Sequence, residues 1–575
     1  MPIEANIPPA LIMLAGALLL PMAPRQVRSW LTLLFPLLGL LLIWTMPAGQ
    51  HLTMELMGYQ LILGKVDSLS RVFGIIFALI TLIGCLFALH VKETGQQAAS
   101  LLYAAGALGV TFAGDFLTLF VFWELMAVAS TYLIWARGTR KAQHAGMRYL
   151  LIHLLGGGLL LAGILTRAGE TGGIAIAQLA ASGSLSSWLI LAGVALNAAV
   201  IPLHAWLPDA YPQATVTGAV FLSALTTKTA VYVLLRVFPG WEVLLIMGVL
   251  MTLYGVVFAV LANDIREILS YHIISQVGYM VAGAGIGTEL AVNGATAHAF
   301  SHILYKALLF MGAGAVLQST GKSKLTELGG LGKNQPLVFW LYMIGAFSIS
   351  GFPLFNGFVS KSMVVAAAGE AHYNTAMLLM LLASVGTFLS VGLKLPYFTW
   401  YGTSRNLSPA PLPRNMYLAM AAAAFFCLFH GLVPGQLYDM LPHPVSYAPY
   451  NYPHLVETAQ ILIFTFAAFW FYRQELAGKA GITLDVDWFY RRPADWARRV
   501  FLEGTENVFN RVETYTVNGA SRLVLFSKNP LLPFAPAPGQ KEYSPDAYRP
   551  SLQTLILAAM CGFILVSLWA FLAGR

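Results

Sequence analysis

Titratable side chains recur inside long apolar runs of this 575-residue chain. Such groups are costly at membrane depth and mark functional sites by default. Glu124 stands near the middle of Phe116-Leu117-Thr118-Leu119-Phe120-Val121-Phe122-Trp123-Glu124-Leu125-Met126, and Lys228 lies in Leu225-Thr226-Thr227-Lys228-Thr229-Ala230-Val231-Tyr232. His272 sits well inside the run that opens at Asn263. His298, His302 and Lys306 recur every four residues, which stacks them on one helical face over about 12 Å. Lys361 follows the breaker Gly351-Phe352-Pro353, and Lys394 precedes Pro396. Histidine changes charge near neutral pH, and a lone buried carboxylate or lysine is poised by desolvation or by a partner. These residue types describe a proton relay. A metal at the two histidines fits less well, because no acidic or cysteine ligand stands nearby in sequence and like charges at that spacing repel. The bland readings are a structural hydrogen bond for Glu124, satisfied core histidines, and a snorkelling Lys228. Lys394 reads equally as a second exit residue and as an interface anchor.

These groups need elements that cross a bilayer. The chain is 58% hydrophobic and 10% charged, with a mean hydropathy of +0.70, so it reads as an all-α polytopic membrane protein. Runs of spanning length, about 20 residues each, open near Pro8, Trp30, Ser70, Ala99, Phe116, Met147, Ser186, Val216, Trp241, Ile268, Ala291, Leu337, Ala376, Asn415, Leu455 and Ser551, which gives about sixteen spans. The loops after odd-numbered spans carry the basic residues, among them Arg25, Lys92, Arg137, Arg140, Arg266, Lys322, Lys333 and Arg405. That face is expected to be cytoplasmic in a cell inner or plasma membrane, with both termini opposite. The start, Met1-Pro2-Ile3-Glu4-Ala5-Asn6, lacks the basic region of a cleavable signal, so the first run is expected to stay as an anchor. Cys85, Cys427 and Cys561 lie singly, which argues against disulfides, zinc and iron–sulfur ligation. The formal charge of +8 fits membrane orientation better than nucleic acid. No flavin fingerprint or P-loop is present, and no cofactor is expected.

Helix breaks punctuate the runs. Pro202 interrupts the seventh and Pro353 the twelfth, and in lipid a broken helix is tolerated only beside protein or water. Asn197 and His204 flank Pro202 as a polar or water-holding site. Inverted repeats with broken helices in matching places are common in transporters. Weak internal echoes point the same way: Glu124 precedes Tyr132 as His272 precedes Tyr279, and His153 with Gly156-Gly157-Gly158 echoes His302 with Gly312 and Gly314.

The wording Ile201-Pro202-Leu203-His204-Ala205-Trp206-Leu207-Pro208-Asp209-Ala210, with "FWELM" around Glu124, the tenth-run segment from Asn263 to Tyr279 and the eleventh from His298 to Phe310, resembles the antiporter-like membrane subunits of respiratory complex I, membrane-bound hydrogenases and Mrp sodium/proton antiporters. It is most similar to the D-type Mrp subunit, over roughly residues 60 to 400. The resemblance implies that Glu124 pairs with a lysine and gates proton movement, that Lys228 is the eighth-helix lysine, that the eleventh-helix ladder is the central polar axis, and that Lys361 is the outlet. It also implies a lysine at position 197, where this chain has asparagine. Asparagine cannot titrate, so Lys228 is expected to partner Glu124, with water held by Asn197.

The expected organisation is residues 1–95 as three N-terminal spans, 96–400 as an antiporter-like core of two inverted repeats, 401–473 as spans 14 and 15, 474–550 as a cytoplasmic amphipathic segment, and 551–575 as a last span. Within the fourth part, Asp495 to Ser527 reads as a surface helix with Trp496, Val500, Val508, Val512 and Tyr515 on one stripe. Pro530 to Pro538 reads as a linker or partner contact. The expected function is proton translocation in an Mrp-type Na+/H+ antiporter, with other membrane subunits as partners. Two readings stand beside it: pumping within a quinone- or hydrogenase-linked oxidoreductase, and a non-conducting scaffold.

Overall fold

Backbone amides cannot go unpaired in hydrocarbon, and this chain answers with helices along almost its whole length. The computed structural model describes residues 7–56, 58–181, 183–479, 481, 484–528 and 550–574. The readings placed on the first six residues and on Pro530 to Pro538 lie outside the described residues. The chain divides into two units, Met1–Val486 and Asp487–Arg575.

The first unit opens with α1 (Pro9–Leu19) and α2 (Arg25–Thr45), then a hairpin of β1 (Gly49–Leu56) and β2 (Tyr59–Val66). The spans α3 (Ser68–Phe87), α4 (Thr94–Phe112), α5 (Phe116–Trp135), α6 (Arg140–Thr171) and α7 (Leu185–Asn197) follow. Short α8 (Trp206–Ala210) leads to α9 (Gly218–Ala224), α10 (Thr226–Val237), α11 (Glu242–Leu261), α12 (Ile265–Ile286) and α13 (Glu289–Thr320). Then come α14 (Pro336–Ser350), α15 (Asn356–Glu370), α16 (Asn374–Thr387), α17 (Arg414–Leu432), α18 (Pro434–Tyr438) and α19 (Tyr452–Tyr472). With α9–α10 and α14–α15 each taken as one interrupted span, these helices and the last helix of the chain match the sixteen apolar runs in order. Eleven helices among the described residues are long and apolar enough to cross a membrane. The protein is a multi-pass membrane protein.

The hairpin pairs Gly49 with Val66 and Leu56 with Tyr59, an element absent from the sequence reading. Asp67 closes it by capping α3: its carboxylate accepts from the Ser70 amide while Ser70 Oγ accepts from the Asp67 amide, both at 2.9 Å. Arg236 on α10 grips the same carboxylate through two bonds of 2.7 and 2.6 Å.

The inverted repeat has a fixed register. Asp115 caps α5 and Asp264 caps α12. α6 and α13 run 32 residues each, ending at Gly172 and Gly321, both at φ +70°. Asp115 bridges to Ala175 and Asp264 to Lys324. Each second feature lies 149 positions after its counterpart. His153 therefore corresponds to His302 and Gly157 to Lys306, whereas Glu124 faces Ile273 in register, not His272.

Three spans are interrupted. Pro202 lies in the turn after α7, and Pro353 lies between α14 and α15 beside Gly351 (φ +74°) and Leu354 (φ +76°). A third interruption, at Leu225 between α9 and α10, involves neither proline nor glycine.

The second unit begins with α20 (Asp487–Ala497), which passes through a π-helical turn, Arg498–Glu503, into α21 (Gly504–Lys528). This continuous helix of 42 residues spans ~60 Å at 1.5 Å per residue. Trp496, Val500, Val508, Val512 and Tyr515 are exposed along it. The last helix, α22 (Leu552–Ala573), is wholly apolar apart from a few hydroxyls and amides.

Candidate functional site

A glycine on α6 makes room for a carboxylate. A β-carbon on Gly157 would overlap Oε1 of Glu124, so the α5 side chain lies directly on the α6 backbone. One residue earlier, a β-carbon on Gly156 would stand 3.5 Å from Oδ1 of Asn197 on α7. Asn197 is fully buried, and neither its amide oxygen nor its nitrogen has a protein partner. Glu124 Oε1 is likewise unpartnered. His153 follows on the same face of α6, stacked on Tyr149 with ring centroids 3.9 Å apart and set edge-on to Trp206 at 4.5 Å. Trp206 Nε1 donates to the Leu196 carbonyl at 3.0 Å, which caps the broken end of α7.

Glu124 and Lys228 do not form an ion pair. The Lys228 ammonium donates to the Ser223 carbonyl, freed by the break at Leu225, and to Thr227 Oγ1 at 3.0 Å. It is completely buried and does not snorkel. Hydroxyls from α4, α5, α6 and α10 meet one another beside Lys228. Tyr149 Oη lies 2.9 Å from Ser130 Oγ and 3.4 Å from Thr226 Oγ1, and Tyr103 Oη also bonds Thr226. Thr226 adjoins Thr227, whose Oγ1 accepts from the lysine. Sequence reading passed over Tyr103, Ser130, Tyr149 and Thr226 because hydroxyls recur throughout apolar helices; the only local signal was the polar run Thr226-Thr227-Lys228-Thr229.

Beyond Lys228 the ladder of α13 takes over. His298, His302 and Lys306 are fully buried. Both ring nitrogens of His302, Nε2 of His298 and the Lys306 ammonium have no protein partner. Tyr305 Oη reaches toward Gln276 Oε1 at 3.4 Å and so ties α13 to α12. On α12, positions 272, 276 and 279 share one face, which zips to the thirteenth span: His272 Nε2 to Ser390 Oγ at 2.6 Å, Gln276 to Thr387 at 3.5 Å, and Tyr279 Oη to the Met380 carbonyl at 2.5 Å. His298 Nδ1 lies 3.4 Å from Ser360 Oγ, one residue before Lys361.

Lys361 donates to Ser384 Oγ at 2.6 Å and to the Ile349 carbonyl at 3.3 Å, which the break at Pro353 helps free. It also lines a cavity of about 290 Å³ with Tyr279, Ser350, Tyr447, His454 and Glu457. Lys394 sits elsewhere. In the π-helical stretch Phe388–Lys394 it donates to the Val260 and Ala262 carbonyls at 2.5 and 3.2 Å, so it caps the end of α11. Arg266, expected as a loop charge, is 1% exposed and donates to the carbonyls of Tyr211, Ala214 and Thr215, which hold the turn after α8. No cluster of three or more His, Cys, Asp or Glu fit to hold a metal occurs among the described residues.

His204 meets a partner that sequence spacing concealed. Its Nε2 lies 3.2 Å from Oδ1 of Asp485, 281 residues away, in the segment that follows α19. Tyr254 and Tyr271 donate to the same carboxylate at 2.5 and 2.7 Å. Burial pushes the Asp485 carboxyl up, but these donors outweigh it and hold it at about 2.

The model for the family described as NADH:quinone oxidoreductase/Mrp antiporter, TM, matches residues 113–390. The D-type chain of the Na(+)/H(+) antiporter of Alkalihalophilus pseudofirmus is 33% identical over 349 residues, covering 56% of this chain and 68% of the relative. The N-type chain of the NADH-quinone oxidoreductase of Desulforudis audaxviator is 34% identical over 301 residues, covering 49% of this chain and 60% of the relative. Among solved structures, a chain of the Mrp complex from Dietzia sp. shares the fold with a TM-score of 0.66 at 22% identity, covering 81% of this chain and 99% of that one.

Proposed function

The chain belongs to the NADH:quinone oxidoreductase/Mrp antiporter family of membrane subunits, and on that premise we propose that it carries protons across the membrane within an Mrp-type Na+/H+ antiporter assembly. One observation carries the reading: buried polar atoms without protein partners recur at the titratable and polar groups Glu124, Asn197, His302, Lys306, His298 and His272. A buried polar atom left unpaired costs roughly 1–3 kcal/mol, and bound water is the usual remedy where several such atoms converge. Water between titratable groups conducts protons.

In this scheme Glu124 exchanges protons with Lys228 through Tyr149 and Thr226, since position 197 supplies no charge. The His302–Lys306–His298 group forms the centre, His272 joins it to the thirteenth span, and Lys361 releases the proton into its cavity. Lys394 holds α11 in place. The Lys- and Arg-rich loops face the cytoplasm of a cell inner membrane, and other membrane subunits complete the assembly. Proton flux in everted vesicles tests this: Glu124→Gln and Lys228→Ala each abolish Na+-driven proton movement, and a chain that keeps full flux with both changes is a scaffold. The likeness to a quinone oxidoreductase chain favours a second reading, redox-driven pumping. Flux that requires an electron donor and ignores Na+ selects it.

A further inference from the structure

Asp485 is placed with more care than a connecting segment needs. Its carboxylate is almost wholly inside the protein and accepts from His204 Nε2, Tyr254 Oη, Tyr271 Oη and the Val486 amide. The two tyrosines come from α11 and α12, so four stretches of chain converge on one anion. The Tyr254 ring stands edge-on to His204 at 4.6 Å and stacks on Phe258 at 4.3 Å. His204 itself is fully buried. A neutral imidazole carries one proton, and the ring nitrogen that faces a carboxylate keeps it. That leaves Nδ1 as the acceptor, and Nδ1 has no protein partner. His204 is two residues from Trp206, whose indole caps α7 next to Asn197 and touches His153.

We propose that Asp485 is a positioning residue for proton movement at the broken seventh span: it fixes the ring and tautomer of His204 so that Nδ1 takes protons on their way to Asn197 and Glu124. This rests on the proton-carrying function proposed above. The Asp485 carboxyl, held at about 2, stays an anion at working pH and is not itself a carrier. The titratable groups facing the pair are Tyr254 and Tyr271, and Glu267 acts on Tyr271. The pair forms only because the chain returns after α19 to the turn that follows α7. This adds a site that lies outside the polar axis itself.

The test is Na+-driven proton flux in everted vesicles from cells that make the full chain with its partner subunits, for Asp485→Asn, His204→Gln, the double variant and Asp485→Glu, with Glu124→Gln as reference. Losing the carboxylate that orients a metal-bound histidine costs roughly 10- to 100-fold, and a loss of the same order is expected where a carboxylate orients a proton-carrying one. Asp485→Asn is therefore expected to lower flux about tenfold, His204→Gln to lower it at least as far, the double variant to match His204→Gln alone, and Asp485→Glu to restore most of it. Losses that multiply in the double variant overturn the proposal, because they show Asp485 acting apart from His204. So does normal flux in Asp485→Asn while Glu124→Gln abolishes it; the function then stands without this residue. Full flux in Glu124→Gln instead removes the function itself. Should Asp485→Asn fail to assemble, His204→Gln decides: it keeps a donor toward Asp485, so normal flux at an unchanged melting temperature overturns the proposal, and lost flux supports it.

Discussion

Oε1 of Glu124 rests on the bare α-carbon of Gly157, and in the second repeat the position equivalent to that glycine carries Lys306. One copy has emptied the position to admit a carboxylate from α5; the other has filled it with a cation that has no protein partner. A shared backbone thus presents an acid in one half and a base in the other, at sites related by the internal symmetry.

Gly157→Ala should therefore displace Glu124 and cut proton flux severely, with an overpacking cost of ~1–3 kcal/mol. Its neighbour Gly158 faces open space, so Gly158→Ala should keep flux and raise stability by ~0.5–1 kcal/mol, as expected for glycine removed from a helix interior. Flux and melting temperature measured side by side check both. Equal behaviour of the two variants contradicts the assignment.

Tyr149→Phe removes the hydroxyl that touches both Ser130 and Thr226. Each hydrogen bond is worth only ~0.5–1.5 kcal/mol, so the protein should assemble with a small loss of stability. Flux should fall toward that of Lys228→Ala if hydroxyls link the two sites. Unchanged flux in Tyr149→Phe means protons reach Lys228 by another way.

The Asp67 link between the hairpin, α3 and α10 should be pH-sensitive. Burial raises this carboxyl, but the Arg236 guanidinium and the Ser70 donors bring it below the ordinary carboxylate value. A depressed carboxylate contributes stability that is present above the unfolded-state value and lost as pH falls through the folded one. The melting temperature in detergent should hold steady from about pH 8 to 5 and drop below about pH 4. Asp67→Asn should flatten that drop. A variant that retains it locates the acid sensitivity elsewhere.

Spans and the buried titratable residues within them were legible in the sequence because both are local. A membrane-length apolar run announces its helix, and an ionisable residue within it stands out against hydrocarbon; Glu124, Lys228, His302 and Lys361 needed no more. The strand pair at Gly49–Val66 was hidden because its alternation is shorter than the window that reveals a span. The break at Leu225 was hidden because no proline or glycine marks it, and its effect, a free Ser223 carbonyl under Lys228, exists only in three dimensions. Lys394 read as an exit residue or an interface anchor and Arg266 as a loop charge until the carbonyls they satisfy came into view. Asp485 was beyond reach: nothing in its neighbourhood points to a histidine 281 positions away.

The central claim, that the buried polar axis holds water, is tested most directly by hydroxyl-radical footprinting of the intact assembly, since radicals form from water next to the side chain they label. His302 and Tyr305 are wholly buried, yet they should be modified at rates close to those of exposed side chains, while the equally buried Phe310 on the same helix stays protected. Protection of His302 and Tyr305 to the level of Phe310 would mean a dry axis, which contradicts the account.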